Sequence, residues 1–193
     1  MKLIFILTLT YIFVSSNNIS ANENIENCSI KNVPSKERIF SKNFSGVFNG
    51  KRIDYIASLK EKIIYEKDNP SEPMASFFYT EYIVESDKNR PIIFSFNGGP
   101  GSASLWLHMG VLGPKVIKVP SDASDDGAAP FKIVDNKLSP LSDADLVFID
   151  PIGTGYSRAI GCHEPEEFWG VSEDPKIIAE FIRRWIKIGR AHV

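Results

Sequence analysis

Two short apolar runs, each ending directly in a loop rich in glycine and proline, place the strongest limits on how this chain can fold. Residues 92–96 run into the sequence NGGPG at 97–101, and residues 146–149 run into DPIGTG at 150–155. Nearly continuous apolar runs of this length are typical of strands buried on both faces of a sheet. We therefore predict two interior strands, each followed by a bare, stiff loop.

The other apolar patterns predict further strands and one helix around this pair. Strand-like patterns cover residues 52–58, 62–65, 75–84, 116–119 and 131–134. We expect the first three to form an antiparallel set at the edge of the sheet. Apolar residues recur at helical spacing from Ile177 to Ile186, and Pro175 suits the first turn of that helix. A helix lying on such a sheet indicates the α/β class.

The first 21 residues have the pattern of a secretory signal peptide. Lys2 precedes an apolar run at 3–14 that is too short for an ordinary membrane-spanning helix, and Ala21 is a suitable cleavage point. We therefore expect a periplasmic or secreted protein without a stable membrane anchor. In such a protein Cys28 and Cys162 can pair, although two unpaired thiols or a partner outside this chain are an equally open alternative.

The two ends of the chain differ from its middle in composition. The polar residues 22–44 predict a loose N-terminal arm, and residues 188–193 interrupt the helical pattern with a glycine, so we expect that tail not to be native sequence. The net charge is −2, and lysine and arginine form no cluster, which disfavours a nucleic-acid partner. No cysteines and histidines have metal-ligand spacing, so we expect neither a metal nor a cofactor.

The loop after residue 96 suits the binding of negative charge. Its glycines let the backbone approach a ligand closely, and Pro100 limits the flexibility that glycines bring. If a helix begins near Gly101, the amides at its start favour a bound anion or a transient oxyanion. A nucleotide site is disfavoured, because the Gly-Lys-Ser/Thr of a P-loop and the third glycine of a dinucleotide fingerprint are both missing. A tight turn without any ligand stays open.

The loop at 150–157 also follows a buried strand, and ligands of open α/β sheets bind beyond the carboxyl ends of such strands. We expect the two loops to line one cleft, formed by Pro100, Gly101, Asp150, Gly153, Gly155 and Tyr156. Ser157 is near the pattern of a nucleophile elbow, but Pro151 and two glycines separate it from the strand, so we reject it as a nucleophile. His108 is expected to be a packed or hydrogen-bonded helix residue rather than a base.

Several motifs together resemble the serine carboxypeptidase family. They are residues 97–102 (NGGPGS), 112–114 (LGP) and 144–157 (ADLVFIDPIGTGYS), while 106–110 (WLHMG) and 168–171 (FWGV) resemble its bacterial members. The resemblance runs from about residue 55 to residue 187. It implies an α/β-hydrolase fold and the release of C-terminal amino acids from peptides through a serine acyl-enzyme. It also makes residues 45–187 the N-terminal part of a catalytic domain.

The resemblance assigns roles to three residues of the first loop. The side chain of Asn97 and the amide of Gly98 help hold the terminal carboxylate of the substrate, and the amide of Gly99 is one oxyanion donor. In the family the attacking serine follows a helix like the one at 175–187, and its aspartate and histidine come later. We therefore expect this chain to be a fragment that is inactive alone. Val111 stands where some members carry a glutamate that supports carboxylate recognition, which weakens the case for strict carboxypeptidase specificity.

Two other functions remain open at this point. An aminopeptidase or esterase of the same fold has an oxyanion loop that begins His-Gly-Gly, and Asn97 argues against that function. A non-catalytic exported binding protein would use the cleft as an anion site. That second function follows if the intact protein has no nucleophile, because acyl transfer then fails.

Overall fold

The computed structural model describes residues 33–86, 89–98, 101–119 and 130–189, with the side chains of 188 and 189 left aside. The strands are β1 (Ile39–Phe48), β2 (Lys51–Tyr65), β3 (Pro73–Ile83), β4 (Ile92–Ser95), β5 (Lys115–Ile117), β6 (Ile133–Asp135), β7 (Asp145–Ile149) and β8 (Arg158–Ala159). Helix α1 (Leu105–Leu107) continues as a π-helical turn (His108–Leu112), and helix α2 spans Glu173–Gly189. Short 3₁₀ turns occupy Pro140–Ser142 and Pro165–Phe168.

The strands form one mixed sheet and a separate hairpin. The main sheet has the order β1-β2-β3-β7-β4, with β8 added beside β3, and β5 pairs with β6 in the hairpin. Every neighbouring pair in the main sheet is antiparallel except β4 and β7, which are parallel. This arrangement confirms the α/β class and antiparallel pairing at the sheet edge. The predicted strands 52–58 and 62–65 are, however, one continuous strand, β2, which pairs with β3.

Helices cover the two faces of this sheet, and the alternation of side chains along β7 explains why both faces are apolar. Val147 and Ile149 pack on the side of α2, where Phe181 stacks on Phe77 with ring centroids 5.2 Å apart. Leu146 and Phe148 pack on the opposite side. All five residues of β7 are buried, as the continuous apolar run predicts. Strand β7 is therefore interior, as predicted, whereas β4 is the end strand of the described sheet and only Ser95 in it is buried, so the prediction of a second interior strand is wrong for β4.

The prediction of a loose arm at 22–44 is wrong at its C-terminal end. Residues 39–44 belong to β1, which pairs with β2 without a break from Ile39 opposite Lys60 to Phe48 opposite Lys51. A tight turn at Asn49-Gly50 joins the two strands, and both turn residues have positive φ (48° and 77°). Such Asn-Gly turns match the twist of a two-stranded hairpin. Residues 1–32, including the predicted signal peptide and Cys28, lie outside the described residues. Cys162 is disulfide-bonded.

The segment before β1 is fixed to the sheet by a buried carboxylate. Glu61 has no exposed side-chain surface, and it accepts hydrogen bonds from Arg38 Nε at 2.8 Å, from the Arg38 amide at 3.1 Å and from the Ser76 hydroxyl. The bond from the Arg38 side chain holds the pKa of the Glu61 carboxyl below its ordinary value. The carboxylate therefore stabilises the fold most above that ordinary value, and its contribution falls as the pH falls through the lowered pKa.

Replacing Glu61 with alanine is expected to lower the free energy of unfolding at neutral pH by about 2 kcal/mol. The substitution removes the charged hydrogen bonds of Glu61, but the Arg38 side chain is 57% exposed and can be rehydrated. Urea unfolding at pH 7 measures the change. Asp143→Ala is the control, because the Lys51–Asp143 pair is exposed on both sides and is expected to be nearly neutral for stability. An equal effect of the two variants would contradict the prediction.

Candidate functional site

The two loops singled out by the sequence leave the sheet at the same edge. Strands β4 and β7 are parallel neighbours, with Ser95 opposite Phe148, so their carboxyl ends lie side by side. We call residues 97–104, which join β4 to α1, the first loop. We call residues 150–157, which follow β7, the second loop. Parallel pairing places both loops where ligands of open α/β sheets bind.

The first loop begins with a polar side chain and a bare stretch of backbone. Asn97 is half-buried, and its Oδ1 is buried without a hydrogen-bond partner in the described part of the chain. Gly98 is exposed, and a side chain there would meet open space. Gly101 has φ +97°, a conformation that favours glycine. Gly99 and Pro100 lie outside the described residues, so the oxyanion role of the Gly99 amide stays a prediction.

The far end of the first loop is held against the end of β7. The Ser104 amide donates to Asp150 Oδ1 at 2.9 Å, and the Ser104 hydroxyl donates to the carbonyl oxygen of Ile149. Helix α1 begins at Leu105 rather than near Gly101, so the expected start of the helix is corrected by four residues. The amide just before this helix is bonded within the protein and is not available to an anion. Sequence reasoning missed this role of Ser104, whose side chain makes no capping hydrogen bond to α1.

The second loop folds tightly around the Asp150 carboxylate. Burial raises the pKa of Asp150 above its ordinary value, and the hydrogen bond from the Ser104 amide offsets part of the rise. Gly155 has φ +51°, and a Cβ atom there would lie 2.0 Å from Asp150 Oδ2. At Gly153, with φ +85°, a Cβ atom would lie 2.7 Å from Nε1 of Trp169. Both glycines are therefore required by close packing as well as by backbone conformation.

The last two residues of the second loop have opposite environments. Tyr156 is 69% exposed, and its ring lies 5.8 Å from that of Phe78. Ser157 is fully buried; its hydroxyl donates to the Asp150 carbonyl oxygen at 2.8 Å and accepts from the Phe78 amide at 2.8 Å. Both hydrogen bonds are with main-chain groups, so Ser157 joins the second loop to β3. This geometry agrees with the rejection of Ser157 as a nucleophile.

His108 is packed and hydrogen-bonded, as predicted. Its Nε2 lies 2.6 Å from Tyr82 Oη, and its ring stacks on Phe148 with centroids 4.5 Å apart. Burial lowers the pKa of His108 to about 4. The ring is therefore neutral at neutral pH, and its Nε2 is hydrogen-bonded to the Tyr82 hydroxyl. His163 is bonded elsewhere, with Nδ1 lying 2.8 Å from Glu167 Oε2.

A groove of about 900 Å³ lies away from both loops. Its lining includes Lys60, Glu81, Asp145 and Trp185, so it runs along α2 toward the amino end of β7. Because the loops leave the carboxyl end of β7, we do not assign this groove to the site. Across the residues that the structure describes, no three histidine, cysteine or acidic side chains could hold a metal ion. None of the described helices is long and apolar enough to cross a bilayer.

Comparison with known proteins identifies one family. A family model with the description "Serine carboxypeptidase" matches residues 58–188, which include both loops and most of α2. The chain is 28% identical over 149 residues to serine carboxypeptidase-like 9 of Arabidopsis thaliana, a match that covers 72% of this chain and 32% of that protein.

Other curated relatives match shorter stretches. Serine carboxypeptidase-like 2 of Arabidopsis thaliana is 31% identical over 121 residues, covering 60% of this chain and 25% of the relative. Carboxypeptidase Y homolog A of Leptosphaeria maculans is 34% identical over 95 residues, covering 49% and 16%. The chain thus spans a third or less of the length of these curated relatives.

Proposed function

The chain belongs to the serine carboxypeptidase family, and we propose that the intact protein releases C-terminal amino acids from peptides through a serine acyl-enzyme. The observation that carries this proposal is the first loop at the carboxyl end of β4. It presents Asn97 and the open backbone at Gly98, while its far end is bonded to β7. A loop held in this way suits preorganised hydrogen-bond donors, which stabilise charge without reorganisation during the reaction.

We propose that Asn97 and Gly98 recognise the terminal carboxylate of the peptide. The Oδ1 atom of Asn97 is buried, which leaves its NH₂ group as the donor for a ligand. The Gly98 amide is the second donor, and the missing side chain allows the peptide to approach the backbone. Two donors on one short stretch fit a carboxylate, whose two oxygens accept hydrogen bonds.

In the proposed reaction, a base takes the proton of a serine hydroxyl while the serine oxygen attacks the carbonyl carbon of the last peptide bond. The carbonyl oxygen becomes an oxyanion and accepts a hydrogen bond from the Gly99 amide. Collapse of the tetrahedral intermediate breaks the C–N bond, and a general acid protonates the departing amine. Water then hydrolyses the ester and releases the shortened peptide.

We propose that the serine and its base lie in the part of the family domain outside this chain. His108 bonds Tyr82, and His163 bonds Glu167, so neither histidine is set against a serine hydroxyl. The parallel pair β4 and β7, with helices on both faces, is consistent with an α/β-hydrolase sheet. We also propose that residues 1–21 direct export and that the protein is secreted or periplasmic.

The proposal predicts that the intact protein shortens a peptide one residue at a time from its C-terminus. Mass spectrometry of a peptide of mixed sequence would show this ladder, and a serine-reactive fluorophosphonate would abolish it. Release of N-terminal residues would indicate an aminopeptidase instead. Cleavage of simple esters alone would indicate an esterase. Binding of peptides without any cleavage would support a non-catalytic protein.

A further inference from the structure

We propose that Asp150 is a positioning residue, whose carboxylate fixes the C-terminal end of the first loop and thereby the donors that the loop presents. This inference rests on the proposed function. It gives a side chain of the second loop a part in positioning the donors of the first loop. Asp150 acts through Ser104 and has no contact with substrate in this proposal.

The first step of the argument is the way Ser104 is held. Ser104 is 2% exposed. Its two hydrogen-bond donors, the amide and the hydroxyl, bond to two consecutive residues at the end of β7. The amide goes to Asp150 Oδ1 at 2.9 Å, and the hydroxyl goes to the Ile149 carbonyl oxygen. The first loop therefore has a fixed strand at one end and a fixed residue at the other. In this proposal a shift of Ser104 displaces the donors at Asn97 and Gly98.

The second step is the way the second loop holds Asp150. Its Oδ2 packs against Gly155 so closely that a Cβ atom there would lie 2.0 Å from it. The main chain of Asp150 is fixed, because its amide donates to the Phe78 carbonyl oxygen at 3.2 Å and its carbonyl oxygen accepts from Ser157 Oγ at 2.8 Å. The second loop and β3 therefore set the place where Asp150 meets Ser104.

The third step concerns the environment of this carboxylate. Among the residues that the structure describes, no lysine or arginine pairs with Asp150, and its side chain accepts from the Ser104 amide alone. A half-buried carboxylate without a cation is costly. The hydrogen bond needs an oxygen at the position of Oδ1 and does not need a charge. An asparagine would supply the same acceptor, so the two substitutions Asp150→Ala and Asp150→Asn separate position from charge.

The strand β7 offers a matched control at its other end. Asp145 also accepts a backbone amide, from Val84 at 3.1 Å, and it pairs with Arg90 at 3.0 Å. It lies at the amino end of β7, away from both loops. Substitutions at Asp145 therefore measure the effect of losing a structural aspartate on the stability of the sheet. They are expected to leave the first loop in place.

The experiment measures kcat, KM and Tm of the intact protein and its variants on a peptide with a free carboxylate. Asp150→Ala is expected to lower kcat/KM at least about tenfold, because the displaced donors of Asn97 and Gly98 hold the substrate carboxylate less well. Asp150→Asn is expected to keep kcat/KM within about threefold of wild type. Asp145→Ala is expected to lower Tm and to leave kcat/KM unchanged.

Four outcomes would overturn the proposal. A kcat/KM of Asp150→Ala equal to that of wild type shows that Ser104 needs no anchor. An equal loss of kcat/KM in Asp145→Ala shows that both aspartates act only through stability. If Asp150→Ala does not fold, Asp150→Glu replaces it, since the longer side chain keeps the charge but misplaces Oδ1. An unchanged kcat/KM of Asp150→Glu then overturns the proposal. A wild-type protein without peptidase activity overturns the proposed function itself, and this inference with it.

Discussion

An Asn97→Ala variant of the intact protein is expected to lose about a hundredfold in kcat/KM on peptides with a free C-terminal carboxylate. The reason is the proposed hydrogen bond from the Asn97 NH₂ group to that carboxylate. Hydrogen bonds to charged groups are stronger than neutral ones, and their loss leaves a charged substrate group without its partner. The measurement is steady-state kinetics on one peptide with wild type and variant.

The same peptide with a C-terminal amide is the decisive comparison. It lacks the negative charge that Asn97 is proposed to bind, so the variant and wild type are expected to hydrolyse it at similar low rates. Asn69→Ala is the matched control variant, because Asn69 lies in the turn between β2 and β3 and bonds Glu72 there. Equal losses on the acid and the amide would show that Asn97 supports the loop rather than the carboxylate.

The parallel pair of the sheet could be predicted because its signal is local. The apolar runs that form β4 and β7 are short and end in glycine-rich loops. The place of β4 at the end of the described sheet could not be predicted, because it depends on which strands pair with it. The helix over Glu173–Gly189 could be predicted for a similar reason, since one apolar face recurs at helical spacing. Both features depend on the pattern within a single segment.

Strand β1 was not predicted, although one local signal for it was present. Most of its side chains are exposed, and its apolar and polar residues do not alternate cleanly, so the pattern gives no buried face. Asn49-Gly50 is a strong hairpin signal. Together with the predicted strand that follows this turn, it predicts a partner strand before the turn. The edge strand forms because the main chain of β2 needs a partner, which is a tertiary cause.

The site was predictable as far as its loops, but the bonds between them were not. Asn97 and Gly98 follow β4, and Asp150 follows β7, as the motifs indicate. The bond from Ser104 to Asp150 joins residues 46 positions apart and depends on the parallel pairing of two strands. Nothing in either segment alone specifies it. The requirement for glycine at 155 has the same origin, because it reflects the space taken by the Asp150 carboxylate.

The free energy of unfolding is expected to fall by about 3 kcal/mol between pH 6.5 and pH 4 because of His108 alone. Burial lowers the pKa of His108 to about 4, while in the unfolded chain it lies near its ordinary value of 6.5. As the pH falls through this window, the unfolded state binds a proton that the folded state does not. The stability that His108 provides is therefore complete above pH 6.5 and lost progressively toward pH 4.

Urea unfolding of wild type and His108→Gln across this pH range isolates the effect, since the carboxylates contribute equally to both proteins. The variant is expected to lack the His108 part of the slope. Tyr82→Phe is the control: it removes the hydroxyl that lies 2.6 Å from Nε2 but keeps the His108 ring on Phe148. Because burial, rather than that hydrogen bond, lowers the pKa, the control is expected to keep the slope. A His108→Gln slope equal to that of wild type would show that the folded protein protonates His108 as readily as the unfolded chain.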